Sequence, residues 1–224
     1  MKKALFSFLT HSVLTVTVLS ASPSFASTVL SDNLSNGPDG TYTLLTGESE
    51  AQGFQTTAQG YTVTDVSMLL SKASPFVTGN FSVSIFDATG GGGKPGSFIG
   101  SVVSSYDASL LNYAASAVSW DNLSIVLTPD TSYYLVLTAN NLQNGPARIG
   151  WVETATATGT GFPSDRALYT GGSWYGPQQN NPLQMKIDAS GGTAVPEPST
   201  YALLCLSLGV VGFARRRMMK NEKG

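Results

Sequence analysis

Histidine, cysteine and charge are all scarce in this 224-residue chain, and each shortage closes off a class of function. The single His11 and the single Cys205 lie near the two ends, outside residues 27–195. That middle stretch therefore has no side chains for a His- or Cys-liganded zinc site, a Ser-His-Asp triad, a Cys nucleophile or a disulfide. Only 12% of the chain is charged, where an average globular protein has roughly 25%. In the middle, five basic residues (Lys72, Lys94, Arg148, Arg166 and Lys186) stand against twelve acidic ones, a net charge of −7. The cations are scattered, so a phosphate backbone would be repelled and nucleic acid is not an expected partner. Helical periodicity is missing as well: no stretch from 27 to 190 keeps a 3.6-residue apolar repeat over three turns.

The two ends carry what the middle lacks. Met1-Lys2-Lys3 opens an apolar run from Ala4 to Leu19, and Ser24-Phe25-Ala26 places small residues at −3 and −1 of a cut between Ala26 and Ser27. These features predict a secretory signal peptide over 1–26, removed by signal peptidase, with a retained membrane anchor as the alternative. At the other end a Gly-rich linker, 190–195, leads to Pro196-Glu197-Pro198-Ser199, an apolar run over Tyr201–Ala214, and Arg215-Arg216-Arg217. As a helix that run would reach about 21 Å, short of a hydrocarbon core of about 30 Å but workable as a span with bilayer thinning. The three arginines resist translocation and fix the basic end in the cytoplasm, which leaves the body outside. The two prolines hold the preceding segment extended and accessible at the membrane face.

This tail resembles the PEP-CTERM sorting signal, with Val195, Pro196, Glu197, Pro198 and Ser199 as the motif, 201–214 as the transmembrane helix and Arg215–Arg217 as the basic end, the whole signal covering 196–220. The resemblance implies processing by an exosortase, a membrane-embedded, transpeptidase-like enzyme of Gram-negative bacteria. The product would cross the inner membrane, lose the tail, and pass to the cell surface or an exopolysaccharide matrix. Cys205 then reads as an apolar helix residue in a discarded segment. A tail that simply stays as an anchor is the alternative.

Between the ends, period-2 alternation recurs. Tyr61-Thr62-Val63-Thr64 runs into Val66–Leu70 with a phase slip at Asp65 that predicts a bulge. Phe81, Val83 and Ile85 share one face of a strand, and Leu123–Leu127, Tyr133–Thr138, Ile149–Glu153 and Leu183–Asp188 repeat the pattern. Asn36–Gly40, Gly90–Gly96, Pro129-Asp130 and Asn144-Gly145-Pro146 supply the turns. The expectation is an all-β protein: one antiparallel β-sandwich over 27–189, large enough to bury a core without disulfides. Residues 29–189 also resemble the choice-of-anchor R family. The resemblance rests on Val29–Leu34, Ala51–Phe54, Ser84–Asp87 before Lys94–Ser97, Leu127-Thr128-Pro129-Asp130-Thr131-Ser132-Tyr133-Tyr134, and Ile149-Gly150-Trp151. It implies a jelly-roll-like sandwich and no particular reaction.

Several residue groups are candidate sites, each with a plainer reading beside it. Gly90–Gly96 lacks the Gly-Lys-Ser/Thr ending of a phosphate loop, because Pro95 follows Lys94, and reads as a flexible inter-strand loop. Asp32, Asn33, Asn36 and Asp39 gather oxygens suited to calcium, but Asx residues beside glycine are also ordinary turn formers. Trp151, Trp174, Tyr169 and Tyr175 could stack on sugar rings, with Gln178–Asn181 reading hydroxyls, or they could pack in the core and along an edge. Glu48 and Glu50, two apart on one strand face, and Glu153 beside Trp151 are the acids a glycosidase would need; scattered acids otherwise read as a solvated surface. The sequence thus points to an exported bacterial surface or matrix protein, linked to exopolysaccharide or biofilm, with a structural or adhesive role. No catalytic residue, metal or cofactor is assigned. The competing reading is a carbohydrate-binding module that uses Trp151, Trp174 or Tyr175.

Overall fold

Alternation decides the longest strand, β4 (Tyr61–Lys72), whose Tyr61, Val63, Val66, Met68 and Leu70 are all buried. The spacing slips between Val63 and Val66, and the pairing slips with it: Asp188 faces Asp65 while Ala189 faces Val63, so Thr64 is skipped. This is the bulge that the phase slip predicts, and it keeps both halves of the strand facing one core. The computed structural model describes residues 27–144, 148–156, 158–161, 165–178 and 181–191, all within a unit spanning 25–194. The segments expected to be a signal peptide (1–26) and a sorting signal with a helix over 201–214 lie outside the described residues.

Two antiparallel sheets build the body. In the first the order is β1 (Ser27–Asp32), β13 (Met185–Gly191), β4, β10 (Ile149–Glu153) and β2 (Gly40–Leu44), with β7 (Ser116–Trp120) and β8 (Ile125–Leu127) on the other edge of β4. In the second the order is β12 (Ser173–Gln178), β11 (Arg166–Thr170), β3 (Ser49–Gln55), β9 (Ser132–Gln143), β5 (Thr78–Asp87) and β6 (Phe98–Asp107). A single-turn 3₁₀ helix, Ala108–Leu110, joins β6 to β7. Among the described residues no helix is long and apolar enough to cross a membrane.

The sheets share one core. Met68, Leu70 and Ile187 from the first sheet meet Phe54, Phe81, Val83, Ile85, Leu135 and Leu137 from the second. Each such side chain, fully buried, contributes about 1.5–3 kcal/mol. The outward face of the second sheet carries a smaller cluster, in which Ala51, Tyr134, Val136 and Ala167 pack with Phe86 and Trp174. Chain direction then sorts the loops into two poles. Ser27 pairs with Ser190 and Gly191 with Tyr61, so the described chain begins and ends at one pole. The C-terminal ends of β2, β4, β6 and β9 lie at the other.

The Thr128–Tyr133 corner shows how a turn is fixed without cysteine. Asp130 adopts φ 46 and its N–H donates to the Thr57 carbonyl (2.8 Å), while the Thr128 N–H donates to the Tyr133 hydroxyl (2.8 Å). Tyr133→Phe removes that acceptor from a part-buried N–H and is expected to cost about 1 kcal/mol, read as a lower urea midpoint. An unchanged midpoint would show that water replaces the phenol.

Candidate functional site

Buried charge is the least expected feature of this interior. On β3, Glu50 shares a face with Gln52 and Phe54, and that face points into the core. Glu50 is fully buried. From the next strand the Arg166 Nε donates to Glu50 Oε1, and its Nη1 donates to Glu153 Oε2 across the sandwich (2.7 Å). Its guanidinium carbon lies 4.3 Å above the Tyr42 ring of β2, a cation–π contact. Gly40 faces Glu153 in the β2–β10 register, and a side chain there would collide with the Glu153 carboxylate, so glycine makes room for the bridge. Arg166 thus clips the second sheet to the first.

One cation is shared here between two carboxylates, of which Glu50 is fully buried and Glu153 partly exposed. Burial pushes the Glu50 carboxyl up to about 7 despite the Arg166 partner, with Glu153 and Glu48 adding to the rise. Its Oε2 has no hydrogen-bond partner among the described residues. Burial would lower the Arg166 pKa, but the Glu50 and Glu153 carboxylates outweigh it and hold the guanidinium charged. Tyr42 is raised by burial and then by the Glu50 charge. Glu48, the other acid of the pair, is spent in the β2–β3 turn, accepting from the Leu45 N–H (2.9 Å) and the Thr170 hydroxyl (3.2 Å). The reading of Glu50 as solvated surface is therefore wrong, because strand parity turns it inward. The arrangement bridges the two sheets and engages Glu48, Glu50 and Glu153 with protein partners.

The other candidates separate in the same way. Trp151 is fully buried, its indole N–H donating to the Gln184 carbonyl (2.9 Å), so it has no face to offer a sugar. Trp174 and Tyr175, adjacent in sequence, point to opposite faces of β12: Trp174 packs edge-on against Tyr169 (5.3 Å), whereas Tyr175 pairs with Leu168 at the edge and is 53% exposed. The Gly90–Gly96 loop is fastened and not free. Gly93 accepts from the Tyr134 hydroxyl (2.7 Å), the Lys94 ammonium donates to the Trp174 carbonyl (3.0 Å), and Asp87 Oδ1 accepts from the Thr89 and Ser97 N–H groups. It covers the outer face of the second sheet, where a cavity of about 220 Å³ lies between Gly93, Ser132, Tyr134 and Asp165. Burial, with the Asp165 charge, pushes the Tyr134 phenol up to about 12, which keeps it a neutral donor.

The oxygens proposed for calcium do not converge. Asn33 is buried and clips β13, donating to the Leu183 carbonyl (3.1 Å) and accepting from the Met185 N–H (2.7 Å). Asn36 donates to the Thr156 and Thr158 carbonyls, and Asp39 accepts from the Asn181 amide (3.1 Å). Asp32 accepts from the Leu34 N–H as an Asx turn does. Sequence reasoning missed the Arg166 bridge; the one available signal was the shared parity of Glu50, Gln52 and Phe54.

Residues 194–217 match the family described as the PEP-CTERM protein-sorting motif. The match includes Pro196, Glu197, Pro198 and Arg215–Arg217, all outside the described residues. No curated protein matches the chain. Among solved structures, the chain is similar to one titled "Structure of infectious bursal disease virus Gx strain", at 11% identity and a TM-score of 0.29, over 81% of this chain. It spans 41% of the length of that viral chain. The sorting motif marks an exported protein, processed by an exosortase and directed to the cell envelope or surface.

Proposed function

We propose that this is a non-catalytic surface or matrix protein, released from its tail by an exosortase and serving a structural or adhesive role in exopolysaccharide or biofilm. The sorting motif at 194–217 carries the reading. The topology of the body is compatible with it: Ser27 and Gly191, the described residues next to the two terminal segments, sit at one pole of the sandwich. The acids are consistent with a structural role, since Glu50 and Glu153 are committed to Arg166 and Glu48 to a turn. We read the frequent crossing of the chain between its two sheets as a jelly-roll-like arrangement, and the body as choice-of-anchor R-like. The second reading, a carbohydrate-binding module, keeps Trp174 and Tyr175 and loses Trp151, whose ring is enclosed.

Intact mass of the protein recovered separately from cells, membrane and medium tests the proposal. The expected product begins near Ser27, ends near Pro196–Ser199, and is found outside the membrane. A membrane-bound product still carrying Arg215–Arg217 would make the tail a plain anchor and remove the main support for a matrix role.

A further inference from the structure

The pole opposite Ser27 and Gly191 is built unlike a solvated loop cluster. β4 separates the two poles by about 36 Å at 3.3 Å per residue. Phe76, Leu110 and Tyr113 stand there 73%, 67% and 67% exposed, on two neighbouring loops. Those loops are tied down. The Lys72 N–H donates to the Asn112 carbonyl (3.0 Å), the Lys72 ammonium donates to the Ser109 carbonyl (2.7 Å), and the Ala73 N–H donates to the Arg148 carbonyl (3.0 Å). Loops fixed by these hydrogen bonds hold two rings and a leucine out in water at this pole, where they can meet the face of a ligand.

A groove of about 480 Å³ runs beside them, lined by Thr78, Gly79, Asn80, Ser105, Asp107 and Ser109. Its floor needs Gly79: φ is 94, and a side chain would strike the Asn141 carbonyl. The lining is hydroxyl, amide and one carboxylate, with no apolar side chain. Hydrogen bonds from Ser109 and the nearby Lys72 charge hold Asp107 below the usual carboxylate range, so it stays an ionised acceptor. Ser109 belongs to both the groove and the loop that carries Leu110 and Tyr113, and Thr78 follows Phe76 by two residues, so the polar trough and the aromatic shelf adjoin.

Hydroxyl-reading groups next to exposed rings match a sugar polymer, which presents hydroxyl rims and C–H faces in alternation. The charge selects among such polymers. Asp107 lines the groove, the Lys72 ammonium is engaged by the Ser109 carbonyl, and the body carries five cations against twelve anions, which disfavours a polyuronate. We propose that this pole is a binding site for a neutral polysaccharide, held along the Thr78–Asp107 groove with Phe76 and Tyr113 stacking on its rings. This rests on the adhesive reading above and names its ligand class and the surface that takes it.

Native affinity electrophoresis of the full chain in detergent, through gels containing dextran, galactomannan or alginate, is the test. The expected result is retardation by at least one neutral polymer and none by alginate. The retardation should fall at least several-fold in the Phe76→Ser/Tyr113→Ser variant, whose exposed positions leave the core and its melting temperature unchanged. Retardation by alginate alone, by none of the three, or equally in the double variant would overturn the proposal. Loss in Trp174→Ala with the double variant unaffected would move the site to the outer sheet face and overturn it too. Tail retention in the mass measurement leaves these mobilities untouched, so the two readings fail separately.

Discussion

Arg166→Ala should lower the stability of the body by about 3–5 kcal/mol, far more than the 0–1 kcal/mol typical of a surface ion pair. The reason is what remains behind. Without the guanidinium, Glu50 stays fully buried, Glu153 loses its cross-sheet partner, and the Tyr42 face loses its cation. Glu50 can escape the unpaired charge only by taking a proton, so the loss should be larger at pH 8 than at pH 5. Adding Glu50→Gln to Arg166→Ala removes the buried charge and should recover part of the loss at pH 8. Urea unfolding of the two variants and the parent checks all three statements. A loss under about 1 kcal/mol for Arg166→Ala would show that the cluster is hydrated and behaves as a surface pair.

The strands that the sequence reveals are those with one wet face and an unbroken register. β4 was readable down to its bulge, because Val63 and Val66 bracket the slip. Phe81, Val83 and Ile85 were readable because serine alternates with them. By contrast β6 has three register shifts against β5, and its Val102-Val103 and Ser104-Ser105 doublets blur any period of two. The edge hairpin β11–β12 has too few inward apolar residues to stand out from the loops around it. The ionic cluster was illegible for a different reason. Glu50 and Arg166 are 116 residues apart, and only the folded neighbourhood of β3, β10 and β11 brings Glu153 to the same guanidinium. Parity alone could place Glu50 inward; it could not name the cation.

That cluster also gives the body a pH response in a window where little else titrates. Glu50 sits at about 7 in the fold against 4.5 as its ordinary value, so the folded state keeps a proton that the unfolded chain releases first. The stabilisation this provides is complete below 4.5 and is lost as pH rises through 7. At about 1.36 kcal/mol per unit of pKa difference, with part of the change already complete at pH 5, stability should fall by roughly 2–3 kcal/mol between pH 5 and pH 8. The groups facing Glu50 do not reverse this: Arg166 stays charged, Tyr42 is raised further from neutrality, and Glu48 and Glu153 both push Glu50 upward. Asp87 and Asp107 are lowered by their hydrogen bonds, so their contributions are lost only in acid, on the other side of the window. Residues 27–195 contain no histidine to add a competing step. Unfolding free energies at pH 5, 6, 7 and 8 should therefore descend, and Glu50→Gln should flatten the profile by removing the titrating group while keeping an acceptor for Arg166. A parent profile that is level across this range, or a Glu50→Gln variant with the same slope, would mean that Glu50 is ionised throughout and that water or local relaxation carries its charge.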